Sequence, residues 1–123
     1  MIRLLASTLV LAATVAGDPI AAGTWNLTGD VQGYPVTESC VLSQKDAAIT
    51  GTCTDSGKVA RAVTGTVADK TITIAHPSEY NGDPLTLTFK GTLDDAGTWK
   101  GMIDVYPLDY QGTFSATKAV IKQ

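Results

Sequence analysis

The sequence predicts an all-β protein, an eight-stranded antiparallel up-and-down barrel. Apolar and polar residues alternate with a period of two through nearly all of the chain after residue 22, and no helical period competes. The segments between the alternating runs are short and contain Asp, Gly, Pro or Lys, which are typical turn residues. Consecutive strands joined by short turns form a meander, and eight strands close most simply into a barrel without exposed edges.

Each predicted strand carries one apolar and one polar face. In the sixth strand, for example, Leu87, Phe89 and Leu93 lie on one face, whereas Thr88 and Lys90 lie on the other. The eight predicted strands are residues 23–32, 36–44, 48–55, 59–67, 71–76, 85–93, 98–105 and 110–118.

The N-terminus has the features of a secretory signal peptide. Arg3 supplies a positive charge, residues 4–15 are apolar, and the small residues Ala16 and Gly17 follow. We therefore expect residues 1–17 to be a signal peptide and residues 18–123 to form a single β-barrel domain. The expected location is the periplasm or the extracellular space.

The charge of the chain disfavours two classes of partner. The sequence has 12 acidic and 9 basic residues, a net charge of −3, and no basic stripe. Nucleic acids and anionic membranes are usually bound by basic surfaces, so we predict no nucleic-acid partner. No second apolar stretch has the length of a membrane span, which predicts no membrane insertion.

The two cysteines test the strand register. In an exported chain, Cys40 and Cys53 predict one disulfide. If they face each other across the second and third strands, Leu42 lies opposite Gly51, and the apolar faces of the two strands coincide. The turn then falls at residues 46–47.

Glycines recur about once per strand, two residues after a large apolar residue. Counting back from the turns of the next hairpins in the same way as for the cysteine hairpin places Gly65 opposite Ile74 and Gly91 opposite Gly101. All of these residues then lie on the inward face. Inward glycines permit strong coiling of the strands of a small barrel. We also expect them to leave space inside.

The two ends of the predicted barrel differ. One end carries tight charged turns at residues 45–48, 68–71 and 94–97, and we expect Trp25 and Trp99 to form a structural plug there. The other end carries the longest predicted loop, residues 76–84, together with every tyrosine and the single histidine. Tyrosine and histidine combine an apolar body with a polar tip, which suits the rim of a binding pocket. The candidate ligand-binding residues are Tyr34, His76, Tyr80, Tyr106 and Tyr110.

No catalytic constellation, metal site or cofactor site is predicted. The segment His76-Pro77-Ser78-Glu79 is not a known metal-binding motif. A hydrolase or isomerase would require His76 or Glu79 to face a cavity.

The motif Gly23-Thr24-Trp25 on the first strand of such a barrel resembles the calycin superfamily, which includes lipocalins, avidins and fatty-acid-binding proteins. The resemblance implies ligand binding inside the barrel. In lipocalins a late arginine packs on this tryptophan, whereas the last strand of this chain has Lys118.

A second resemblance covers less than half of the chain. Gly23-x-Trp25-x-Leu27, followed by Cys40-x-Leu42 and Cys53, is similar to bacterial periplasmic inhibitors of serralysin-type metalloproteases. That resemblance implies a flexible N-terminal trunk, here residues 18–22, that enters a protease cleft.

Three functions therefore remain open from the sequence. The leading expectation is an exported binding module for a small apolar or aromatic molecule at the open barrel end. The first alternative is a protease inhibitor that acts through its N-terminal trunk, and the second is a scaffold with a closed core that acts through its surface.

Overall fold

The computed structural model describes residues 19–119, which form a closed, eight-stranded antiparallel barrel. The predicted fold class is therefore confirmed, whereas the predicted signal peptide lies outside the described residues. Within residues 19–119, no helix is long and apolar enough to cross a membrane. The strands are β1 (Gly23–Val31), β2 (Tyr34–Lys45), β3 (Ala48–Asp55), β4 (Ala60–Ala68), β5 (Thr71–Tyr80), β6 (Asp83–Leu93), β7 (Trp99–Tyr106) and β8 (Tyr110–Lys118).

The barrel closes through the first strand, which pairs with both the second and the last. Trp25 lies opposite Cys40 of β2 on one side and opposite Lys118 of β8 on the other. Every strand consequently has a hydrogen-bonded neighbour on both sides for at least part of its length. Closure removes the free edges that promote aggregation of open sheets.

The predicted register is confirmed. Cys40 lies opposite Cys53, and the two form a disulfide across β2 and β3. Leu42 faces Gly51 in the same hairpin, and Gly91 faces Gly101 between β6 and β7. A one-residue slip would move each apolar face to the solvent, so the burial of these faces specifies the register.

The inward glycines allow neighbouring strands to approach each other closely. A Cβ atom built on Gly65 would overlap the backbone carbonyl oxygen of Thr73 on β5. The volume that a side chain would fill is therefore taken by the backbone of the adjacent strand. The expectation that glycines leave space for a ligand is wrong at this position, because their role is strand coiling.

Aromatic side chains fill the end of the barrel that carries the tight turns. Trp25 and Trp99 are fully buried, and their rings meet edge to face with centroids 5.4 Å apart. Each indole N–H donates to a backbone carbonyl, Trp25 to Ala21 and Trp99 to Ile72. The Nζ atom of Lys118 lies 5.4 Å from the centroid of the Trp25 ring, a cation–π contact.

The middle of the barrel is also packed. Phe114 contacts Trp99 on one side and Phe89 on the other, with ring centroids 4.9 and 5.4 Å apart. Ile74 and Ile103 are fully buried in the same layer. The core of the barrel is therefore packed with aromatic and aliphatic side chains from the tight-turn end to the level of Phe89.

The segment predicted as the longest loop is instead the tip of a long hairpin. β5 continues to Tyr80 and β6 begins at Asp83, so the turn contains only Asn81 and Gly82. Both turn residues have positive φ, 53° and 84°, which matches the preferred twist of two-residue hairpins. The hairpin therefore projects beyond the point where β5 stops pairing with β4, at Ala75.

Candidate functional site

Two hairpin tips meet across the open end of the barrel. In the strand order, the β1–β2 and β5–β6 hairpins lie on opposite sides, separated by β3–β4 and by β7–β8. Tyr34 begins β2 and Tyr80 ends β5, and their hydroxyl oxygens are 2.6 Å apart. Their rings pack edge to face with centroids 5.5 Å apart. The contact therefore spans the mouth and divides it into two halves.

The tyrosine contact changes the acidity of one phenol. The hydrogen bond with Tyr80 raises the pKa of Tyr34 above its ordinary value, and the proximity of Tyr80 adds to the effect. The Tyr34 hydroxyl therefore remains protonated at neutral pH, and one of the two hydroxyls donates to the other.

A cavity of about 570 Å³ lies on the β7–β8 half of the mouth. Its deep walls are apolar and include Leu87 of β6, Val105 of β7 and Val31 of β1. No residue of β3 or β4 belongs to the lining. The complete lining is Val31, Tyr34, Pro35, Val36, Ser78, Glu79, Tyr80, Asn81, Asp83, Leu85, Leu87, Val105, Leu108 and Tyr110.

The structure separates the five candidate ligand-binding residues into two groups. Tyr34, Tyr80 and Tyr110 all line the cavity. Tyr106 lies outside the lining, and 69% of its surface is exposed. His76 is buried in the barrel wall below the mouth and also lies outside the lining.

His76 forms a buried pair with Glu38 across the barrel interior. Its Nε2 atom is 2.8 Å from Oε1 of Glu38, and its Nδ1 atom is 2.7 Å from the carbonyl oxygen of Pro77. A carbonyl can only accept, so Nδ1 carries a proton. The contact with Glu38 then requires a second proton, which is shared between the imidazole and the carboxyl group.

The surroundings of His76 favour its charged form. Burial by itself lowers the pKa of His76, and the nearby Arg61 also lowers it. The hydrogen bond and negative charge of Glu38, together with the Pro77 carbonyl, outweigh these effects and raise the pKa above its ordinary value. The contacts with Glu38 and Pro77 therefore stabilise the imidazolium form of His76.

The β3–β4 half of the mouth carries further charges. Arg61 of β4 points inward, two residues before the buried Val63, and its Nη2 atom lies 3.7 Å from Oδ2 of Asp55. The buried Nε atom of Arg61 has no hydrogen-bond partner among the described residues. Charged groups thus occupy the β3–β4 half, and the apolar cavity occupies the other half.

One group of potential metal ligands does not form a metal site. Atoms of Glu38, Cys40 and Cys53 lie within 4.8 Å of one another. Both sulfur atoms belong to the disulfide, so neither is a thiolate that could bind a metal ion.

The sequence analysis missed Glu38, although the signal was present. Glu38 lies two residues before Cys40, so the period of the strand places it on the inward face. A charged residue at such a position needs a partner, because burial of an isolated charge is costly. The partner could not be predicted, since pairing rules apply to neighbouring strands and β2 and β5 are not neighbours.

The described part of the predicted N-terminal trunk, residues 19–22, is held against the barrel. Ala21 is fully buried, and its backbone N–H donates to Oε1 of Gln44 over 3.0 Å. The backbone carbonyl of Ala21 accepts a hydrogen bond from the indole N–H of Trp25. These contacts differ from the flexible trunk that the inhibitor resemblance implies, because this segment covers the tryptophan end.

Comparison with known proteins supports the fold. No protein-family model matches the chain, and no curated protein matches it. A solved structure with a similar fold is a redesigned β-barrel, mFAP1, bound to DFHBI. It is 15% identical, with a TM-score of 0.59, and the alignment covers 80% of this chain and 95% of the redesigned barrel. The closed eight-stranded architecture thus agrees with the calycin-like resemblance in the sequence.

Proposed function

We propose that the protein is an exported binding module that holds a small apolar or aromatic molecule in the cavity at the tyrosine end. The observation that carries this proposal is the position of the cavity, above a packed core and beneath two hairpin tips. Its volume of about 570 Å³ falls within the range of about 300–1,000 Å³ that is typical of small-molecule pockets.

The chemistry of the walls supports an apolar or aromatic ligand. Leucine and valine side chains form the deep part of the cavity, and tyrosine rings form its rim. Aromatic rims offer faces and edges for stacking together with hydroxyl groups for hydrogen bonds. The redesigned barrel with a similar fold binds DFHBI, which supports ligand binding by an eight-stranded barrel of this kind.

Export is part of the proposal and has separate support. The first 17 residues have the pattern of a signal peptide, and the two cysteines form a disulfide. Disulfides persist in oxidising compartments such as the periplasm and the extracellular space.

Native mass spectrometry tests the proposed binding. Protein purified from its own organism should carry a bound mass that is lost on denaturation. Tyr110→Ala should weaken retention of that mass about tenfold, because Tyr110 lines the cavity. The matched control is Tyr106→Ala, which removes the same side chain outside the lining and should leave retention unchanged. Absence of any bound mass, or equal loss in both variants, would overturn the proposal.

A further inference from the structure

The charges around the cavity have one sign. Among the residues that line it, Glu79 and Asp83 carry carboxyl groups, and none is lysine, arginine or histidine. Asp30 near the end of β1 and Asp109 in the turn before β8 flank lining residues in the sequence. A low-dielectric cavity with a rim of one charge sign focuses the field and favours ligands of the opposite sign.

The basic residues that the structure describes at the open end, Lys58 and Arg61, lie on the β3–β4 half of the mouth. Arg61 belongs to β4 and pairs with Asp55 of β3, and Lys58 lies in the turn between these strands. Neither strand contributes to the cavity. The acidic rim is therefore not neutralised by a basic side chain of the cavity wall.

Asp83 has the best position to meet a ligand. It lies directly opposite Tyr80 in the β5–β6 hairpin, so the two side chains share one face of the hairpin. Leu85, two residues later, lies on that same face and lines the cavity. Glu79 is adjacent to Tyr80 and therefore points to the opposite face of β5. The carboxylate of Asp83 and the ring of Tyr80 thus lie side by side at the rim, above the apolar walls of the cavity.

This combination favours a positively charged group at the rim. A cation gains from the carboxylate and from the faces of the tyrosine rings, and its apolar body can fill the deeper part of the cavity. A carboxylate or phosphate head group would meet like charge at the same place. We propose, on the basis of the proposed function above, that the ligand is a cationic amphiphile, an amine or quaternary ammonium attached to an apolar or aromatic body.

A matched set of fluorescent probes tests the charge preference. Dansyl amide is neutral, dansylcadaverine has a terminal ammonium group, and dansyl-aminocaproic acid has a terminal carboxylate. Fluorescence titration at neutral pH and low salt measures the affinity of each probe. We expect the ammonium probe to bind most tightly, the neutral probe less tightly and the carboxylate probe most weakly. The ammonium probe should bind about tenfold more tightly than the carboxylate probe, and added salt should reduce this difference in affinity.

Two variants with the same change in net charge locate the effect. Asp83→Asn should reduce the difference between the ammonium and carboxylate probes. Asp69→Asn removes a charge from an exposed turn at the opposite end and should leave the difference unchanged.

The outcomes distinguish the charge preference from the proposed function. Equal binding of all three probes, tightest binding of the carboxylate probe, or equal effects of both variants would overturn the charge preference and leave the binding function in place. If none of the probes binds, or if Tyr110→Ala does not weaken binding, the proposed function fails and the charge preference fails with it.

Discussion

Tyr34 and Tyr80 are 46 residues apart in the sequence, and a hydrogen bond of 2.6 Å joins their hydroxyl groups across the mouth of the barrel. The contact joins two hairpins that lie on opposite sides of the strand order. It also borders the cavity, because both tyrosines belong to its lining. The geometry of the candidate site thus depends on a contact between exposed side chains.

Removal of one hydroxyl should change the acidity of the other tyrosine. In Tyr80→Phe the hydrogen bond that raises the pKa of Tyr34 is lost, so the pKa of Tyr34 should fall toward its ordinary value. Ultraviolet titration of tyrosine ionisation measures this change, and Tyr106→Phe provides a control with the same substitution. An unchanged titration of Tyr34 in Tyr80→Phe would show that the contact does not persist in solution.

The buried pair between His76 and Glu38 should make stability depend on pH. The folded-state pKa of His76 is raised, so its contribution to stability is fully present below the unfolded pKa of about 6.5 and is lost as pH rises through the folded pKa. In Glu38→Gln the charge partner is absent. The advantage of the wild type over Glu38→Gln in the free energy of unfolding should therefore be largest near pH 5 to 6 and decline at higher pH. A difference that is constant between pH 5 and 9 would contradict this account.

Removal of the histidine itself should be more damaging. His76→Ala leaves the carboxylate of Glu38 buried without its partner, since the side chain of Glu38 is only 5% exposed. We expect a loss of about 3 kcal/mol in the free energy of unfolding at pH 7. The double variant His76→Ala/Glu38→Ala removes both charges and should be less destabilised than the sum of the single changes. Additive losses measured by urea unfolding would argue against a coupled pair.

The disulfide should stabilise the barrel through the unfolded chain. Cys40 and Cys53 are 13 residues apart, and a loop of this size corresponds to about 3 kcal/mol in the chain-entropy description. The double variant Cys40→Ala/Cys53→Ala should lose about this amount in urea unfolding. Wild-type protein with its disulfide chemically reduced is the control, because it loses the covalent bond but keeps both cysteine side chains. A loss of less than about 1 kcal/mol in both would contradict the assigned role.

The recurrent glycines should not tolerate even a methyl group. In Gly65→Ala the new Cβ atom would overlap the carbonyl oxygen of Thr73, so the strands must separate. We expect destabilisation of about 2 kcal/mol or more. Gly57→Ala is the matched control, because its Cβ would contact only the Asp55 carboxylate in an exposed turn. Equal stability of the two variants would show that strand coiling does not require Gly65.

The alternation of residues predicted the barrel, and the cysteines predicted its register. The length of the β5–β6 hairpin was not predicted, because Pro77 and Pro84 normally end a strand. Both residues lie where one neighbouring strand is absent: β5 pairs with β4 only as far as Ala75, and β6 pairs with β7 only from Thr86. A proline is tolerated at such an edge, since no ladder hydrogen bond is lost there.

The candidate site was predictable in part. The position of all tyrosines at one end follows from the meander, but the division of the mouth does not, because it depends on contacts across the barrel. The Glu38–His76 pair and the Tyr34–Tyr80 contact both join strands that are not neighbours. The contact with Glu38 also explains why His76 does not belong to the cavity lining, although its register partner Leu87 does.

Fluorine NMR of protein labelled with fluorotyrosine tests the central claim most directly. All four tyrosines lie at the open end, and single Tyr→Phe variants assign the four signals. Saturation with the neutral probe dansyl amide should shift the signals of Tyr34, Tyr80 and Tyr110, which line the cavity, and leave Tyr106 unchanged. A spectrum in which no signal moves, or in which only Tyr106 moves, would contradict ligand binding in this cavity.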